Sequence, residues 1–493
     1  MNLTRRGLLS TVWATGLAAC AGTPFAPGRA APAGPDATEM AAMIRRGDIS
    51  ALEAVNAAIA RAERMQPQLN FMVTDTFAAA RAKAQGQITG PFAGVPTLVK
   101  DLNDVTGAVT RWGSRSTAGA APATQQNVYI NALLGSGLVC IGKSAAPEGG
   151  YLPTTEPLAF APTRNPWDLT RSSAGSSGGA AVAVAAGVVP IAHANDGGGS
   201  VRMPAANCGL FGLKPSRGRL INTVPGSRPL DVAVQGCISR SVRDTAQMLA
   251  STEAQGPSPV YPPVGLVGPA ARRPLRIGVL TKGLAGYEAD PEVFEAVHNT
   301  GKQLEATGHR LSQTAWPVPD TFSEDFVTLW SLAAKADVDR IAARLGRPAD
   351  TSMVEPFSLA MAEQAARLSP AEAQAVQGRL IAHAEAYDRW VDGFDFVMSP
   401  IFASVPSPLG YLRGDVSFGE LKTRLLKQVG YTLIQNVSGA AAMSVPLAWS
   451  RSGLPIGIQF SAGRGDERQL LELAYELEAA MPWAGRKPPV FAA

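Results

Sequence analysis

Histidine and cysteine are scarce, with four of each among 493 residues. Cys20, Cys140, Cys208 and Cys237 stand far apart, without CxxC or Cys/His spacing, so no zinc or other metal site is expected. Charge is also thin. Charged residues make up 17% of the chain and the net charge is +4, with no run of Lys or Arg interleaved with aromatics. That excludes the basic stripe a nucleic-acid partner requires. No internal repeat and no low-complexity tract is evident, although Gly and Pro number 50 and 38. They fall in short turn signals, which reads as many loops on a rigid scaffold. No GxSxG elbow surrounds Ser200, which argues against a Ser-His-Asp hydrolase.

A hydrophobic share of 46% is ample for a large core. The first 32 residues are different. Arg5-Arg6 followed by the apolar stretch Leu8 to Ala19 is too short for a permanent membrane span and reads as an export signal and linker. The arginine pair resembles a twin-arginine signal, and Leu17-Ala18-Ala19-Cys20 resembles a lipobox in which Cys20 would carry a lipid anchor; the alternative is an ordinary signal peptide cleaved among Ala26 to Ala31, with Cys20 incidental. The expected location is therefore the periplasm or the envelope of a bacterium, and residues 33–493 are expected to form one large domain.

Apolar residues at three- and four-residue intervals predict two helices between Ala37 and Arg81, with Ser50 as an N-cap. Gly94 to Asp101 predicts a buried strand ending at Lys100. A helix is expected from Asn127 to Leu134, a strand from Leu138 to Gly142, and an irregular functional stretch from Pro147 to Ser177. Gly179 to Gly187 predicts a small-residue helix and Val188 to Ala192 a strand. Further strand signals lie at Leu275 to Leu280, Phe394 to Met398, Ala442 to Pro446 and Ile456 to Phe460. The fold class is α/β: a mixed central β-sheet covered by helices on both faces. Residues 320–393, long, helical and rich in Ala, Glu and Arg, are expected to shape a substrate channel.

Chemistry concentrates in three places. Gly197-Gly198-Gly199-Ser200 lets successive N–H groups converge on one point with a hydroxyl at its end, the pairing of oxyanion hole and nucleophile that acyl transfer needs. Ala174-Gly175-Ser176-Ser177-Gly178-Gly179 lies 24 residues upstream, serine to serine, and Lys100 lies 76 residues before Ser176. A buried lysine can act as a base, because desolvation disfavours its ammonium form. Asp196, Arg202 and Ser177 are expected to support the glycine loops by hydrogen bonds. His193 reads as a core imidazole, and Cys208 and Cys237 as small buried hydrophobes.

Taken together, Gly94 to Asp101, Thr163 to Asp168, Gly175 to Gly179, Asp196 to Ala205, Cys208 to Pro215 and Gly453 to Gln459 resemble the amidase-signature hydrolases. The resemblance implies Ser200 as nucleophile, Ser176 preceded by a cis peptide bond, Lys100 as base acting through Ser176, and an oxyanion held by the N–H groups of Gly197, Gly198 and Gly199. It implies no cofactor and a small-molecule amide as substrate, and it leaves a homodimer open. Many members read Thr-Asp-Thr-Gly-Gly-Ser where this chain has Asn195-Asp196-Gly197-Gly198-Gly199-Ser200. With His193-Ala194-Asn195 and Thr155 to Ala159, the segment resembles the branch that hydrolyses cyclic nylon oligomers, hence linear or cyclic amides of apolar chains. Two other roles fit such a scaffold: an amidotransferase A-type subunit, which export disfavours, and a silent envelope-binding lipoprotein, which the intact serines and lysine disfavour.

Overall fold

Ser50 accepts the N–H of Glu53 while the Glu53 carboxylate accepts the Ser50 N–H, a reciprocal cap that starts the helix Ala51–Leu69. Val55, Ala58, Ile59, Ala62, Met65 and Leu69 recur at helical spacing and are buried along one face. The computed structural model describes residues 34–221, 230–255 and 259–492. The segment expected from the sequence to direct export, with Arg5, Arg6 and Cys20, lies outside the described residues.

The described strands, in chain order, are β1 (Met72–Asp75), β2 (Pro96–Lys100), β3 (Val139–Ser144), β4 (Arg164–Asn165), β5 (Asp168–Ser172), β6 (Ile191–Asp196) and β7 (Phe211–Lys214). They continue with β8 (Val234–Ser239), β9 (Arg276–Val279), β10 (Arg310–Gln313), β11 (Phe396–Pro400), β12 (Ala442–Trp449) and β13 (Pro455–Ser461). Eight of them form one sheet in the order β10-β9-β11-β13-β12-β7-β8-β6, parallel from β10 to β11 and antiparallel beyond. The fold is therefore α/β with a large mixed sheet. Three more strands pair as β1-β3-β2, and β2 lies against β6: the Thr97 hydroxyl donates to the Ile191 carbonyl at 2.9 Å, and the Lys100 N–H to His193 Nδ1 at 3.1 Å.

Both faces of the large sheet are covered, and the period of two along each strand shows it. On β11, Phe396 and Met398 pack with Val242, Val297 and Leu470 of three helices, whereas Val397 between them packs with Met203, Leu433 and Tyr387. On β8, Cys237 joins the first cluster, and its neighbour Ile238 packs with the alanines and valines of the helix Gly178–Ala185.

Several boundaries differ from the sequence expectation. The stretch Ala37 to Arg81 holds three helices, Ala37–Arg46, Ala51–Leu69 and Phe77–Ala84, with β1 between the last two. Helical spacing of alanines hid a four-residue strand that exists because β3 pairs with it. The strand expected at Val188 starts at Ile191, because Val188 still donates to Ala183 and Gly187 turns the chain with φ +79°. The irregular stretch 147–177 contains the short β4–β5 hairpin. Residues 320–393 form the helices Phe322–Leu345, Pro356–Ala366 and Pro370–Val391.

Candidate active site

β2 is buried at all five residues and ends in Lys100, so its side chain is carried into the interior rather than to solvent. There Nζ lies 2.6 Å from Ser176 Oγ and 2.6 Å from Asn195 Oδ1, with the Asn195 carbonyl at 3.5 Å. Burial pushes the Lys100 pKa well below its ordinary 10.5, against the opposing pull of the Asp196 charge. A neutral amine has two N–H donors and one lone pair. The two Asn195 oxygens can take the donors, which leaves the lone pair facing the Ser176 hydroxyl. The Ser177 hydroxyl also donates to the Asn195 carbonyl, at 3.2 Å. The Gly175–Ser176 peptide bond is cis.

Asp196 ends β6 and holds the turn that follows. Its carboxylate accepts the N–H groups of Gly199 at 2.7 Å and Val201 at 3.1 Å, and pairs with Arg202 at 2.9 and 3.0 Å. Burial would raise its pKa, but the Arg202 guanidinium, Lys214 and the Asn436 amide outweigh burial and hold it well below the usual carboxylate range. Arg202 is fully buried and reaches four further acceptors: Gln435, Gln459, the Thr432 carbonyl and Asn436. Gln459 comes from β13, inside the C-terminal Gly453–Gln459 motif, which thereby gains a physical role.

Ser200 closes this turn, with Val201 between it and the helix Arg202–Cys208, and lines a cleft open to solvent. Gly150 lines the same cleft, and a Cβ added there would lie 3.4 Å from Ser176 Oγ, which places Ser176 just behind that wall. The remaining lining is almost wholly apolar, including Leu152, Phe326, Trp330, Phe357, Phe418 and Leu433. Two of the three helices in 320–393 contribute side chains. The third, Pro370–Val391, packs behind the first of them, and the helix Phe418–Gln428, outside that span, supplies Phe418 and Leu425.

The glycine triplet divides into different tasks. Gly199 has φ +125°, a conformation that L side chains rarely adopt, and its N–H is committed to Asp196. The Gly198 carbonyl accepts the Thr432 hydroxyl at 2.6 Å. A Cβ at Gly197 would stand 2.8 Å from Cη2 of Trp330, whose ring stacks on Phe326. The glycine at 197, unusual against the common threonine, lets this indole approach the loop.

His193 backs Lys100 from β6. Burial pushes its pKa down to about 3, so the ring is neutral, and with Nδ1 accepting from Lys100 its Nε2–H donates to Gln235 at 2.9 Å. Cys208 and Cys237 are buried free thiols, the second pushed up to about 12 by burial. Among the described residues no three His, Cys, Asp or Glu side chains converge as a metal site would require. Sequence reasoning missed Asn195, Gln459, Asn436 and Trp330. Only the first two lay within motifs it had singled out.

The family model described as Amidase matches residues 53–471. The protein named amidase AmiC in Mycobacterium leprae (strain TN) is 38% identical over 451 residues, covering 91% of this chain and 96% of its own length. The 6-aminohexanoate-cyclic-dimer hydrolase of Paenarthrobacter ureafaciens is 35% identical over 483 residues, covering 92% and 96%. A solved structure of 6-aminohexanoate cyclic dimer hydrolase with substrate superposes with a TM-score of 0.83 at 32% identity, covering 93% of this chain and 99% of that one.

Proposed function

The chain belongs to the amidase-signature family, whose members hydrolyse carbon–nitrogen amide bonds, and from that premise we propose that Ser200 is its nucleophile, Ser176 the proton relay and Lys100 the base. The observation that carries this reading is the 2.6 Å contact of a desolvated lysine with Ser176 beside a cleft lined by Ser200. In the proposed cycle Ser200 Oγ attacks the amide carbonyl carbon while its proton passes through Ser176 to Lys100 Nζ. Backbone N–H groups of Gly197, Gly198 and Ser200 face the oxyanion, whereas the Gly199 N–H, expected from the sequence to join them, is committed to Asp196. The proton returns through Ser176 to the leaving nitrogen, the C–N bond breaks and the amine departs. Water then attacks the Ser200 ester by the same relay and releases the acid. Asp196 remains ionised throughout, and its charge favours the transient Lys100 ammonium.

The apolar cleft and the kinship with a cyclic-dimer hydrolase support amides of apolar chains, linear or cyclic, as substrates. The paired arginines and the short apolar start support action in the cell envelope, with Cys20 as the lipid anchor. The test is turnover of aliphatic, aryl, peptide C-terminal and cyclic amides by the purified protein and its Ser200→Ala variant. Complete loss in the variant is expected. Unchanged turnover would overturn the assignment.

A further inference from the structure

A second pocket, of about 490 Å³ and open to solvent, lies between the start of the helix Ala51–Leu69 and the C-terminal segment, and it shares no lining residue with the cleft. Its charged lining residues are Arg61, Arg240, Lys487 and Glu53. Glu53 sits exposed at the rim, already turned back on Ser50. Arg61 spends Nε and Nη2 on the Val188 carbonyl.

Arg240 is different. It is only 8% exposed, and its guanidinium lies 5.5 Å from the centre of the Phe491 ring. Among the described residues it donates to no carboxylate and no carbonyl. The two carboxylates in its neighbourhood are occupied. Asp244 accepts the N–H groups of Ala37 and Thr38 and the Thr38 hydroxyl. Asp36 accepts Arg243, Ser241 and the Glu39 N–H. Asp244 and Asp36 act on Arg240 only through space, so its fork of five donors, which matches a carboxylate, is left open to a ligand. The rest of the wall is apolar, including Met40, Ile49, Ala54 and Pro190.

We propose that this cavity binds an organic carboxylate with an apolar body, the carboxylate on Arg240 with Arg61 and Lys487 nearby, and the body against Phe491 and the aliphatic wall. The ligand is thus an anionic amphiphile, bound apart from the amide cleft.

The experiment is calorimetric titration of the full chain with octanoate and, separately, with inorganic phosphate, repeated on Arg240→Met and on Ala57→Trp. The first variant keeps the apolar stem and removes the charge. The second fills the cavity from an exposed rim position and leaves Arg240 intact. Octanoate is expected to bind the native chain and to weaken by at least roughly tenfold in both variants, as loss of a charged hydrogen-bonded pair implies, with amide hydrolysis unchanged. Should Arg240→Met not fold, Ala57→Trp decides alone. The proposal falls if octanoate does not bind, if it binds both variants as it binds the native chain, or if phosphate binds as tightly as octanoate.

Discussion

Asn195 Oδ1 lies 2.6 Å from Lys100 Nζ, on the amine that also meets Ser176 Oγ at 2.6 Å. The amide carries no charge, so it can fix the direction of the lysine lone pair without raising its basicity as a carboxylate would.

Asn195→Ala is therefore expected to lower kcat by roughly 10- to 100-fold, the usual cost of removing a group that orients a catalytic side chain, with KM little changed. Asn195→Asp is expected to place a negative charge beside Nζ and move the acidic limb of the pH–rate profile upward. Steady-state kinetics across pH separates the two. An unmoved limb in Asn195→Asp would show that this contact does not govern the base.

The pH dependence of the native enzyme follows from burial of Lys100. With its pKa pushed well below 10.5, kcat/KM should be lost as pH falls through that lowered value, because the ammonium form cannot accept a proton. Lys100→Met should lose on the order of 10²–10⁴-fold in rate and lose that limb. Stability has a matching sign. The folded chain binds fewer protons at this site than the unfolded one, so the site's contribution rises with pH between the lowered value and 10.5, and falls on acidification. Denaturation of native and Lys100→Met proteins at several pH values measures it.

Gly197 lies against the indole of Trp330, which lines the cleft, so the size of residue 197 is expected to bear on the size of substrate admitted. In Gly197→Ala the added Cβ must displace the indole edge, since it would otherwise stand 2.8 Å from Cη2. The expected outcome is a raised KM for bulky amides with small amides spared. Trp330→Ala should relieve the effect in the double variant. Equal changes for all substrate sizes would instead point to a distorted oxyanion loop.

Arg202 joins Asp196 to Gln435, Gln459, Thr432 and Asn436. Arg202→Met should cost about 3–5 kcal/mol, because the buried carboxylate loses its partner. Arg202→Lys is expected to recover little of this, since an ammonium cannot span those acceptors. Urea unfolding provides the measurement.

The chain order of the chemistry was legible without a structure because it is local. Glycines that admit a turn, a serine after them and a lysine ending an apolar run are all features of a few consecutive residues, and the alternating strand and helix signals gave the α/β class for the same reason. β1 was not legible, since four residues between helices become a strand only when β3 supplies the pairing. Asn195 read as the first residue of the glycine motif with no role of its own, and Trp330 as one more apolar position in a helix. Their meaning is set by β2 lying against β6 and by the helix Phe322–Leu345 folding over the glycine turn. Such contacts join residues separated by 95 and 133 positions, and only a packed core brings them within a few ångströms.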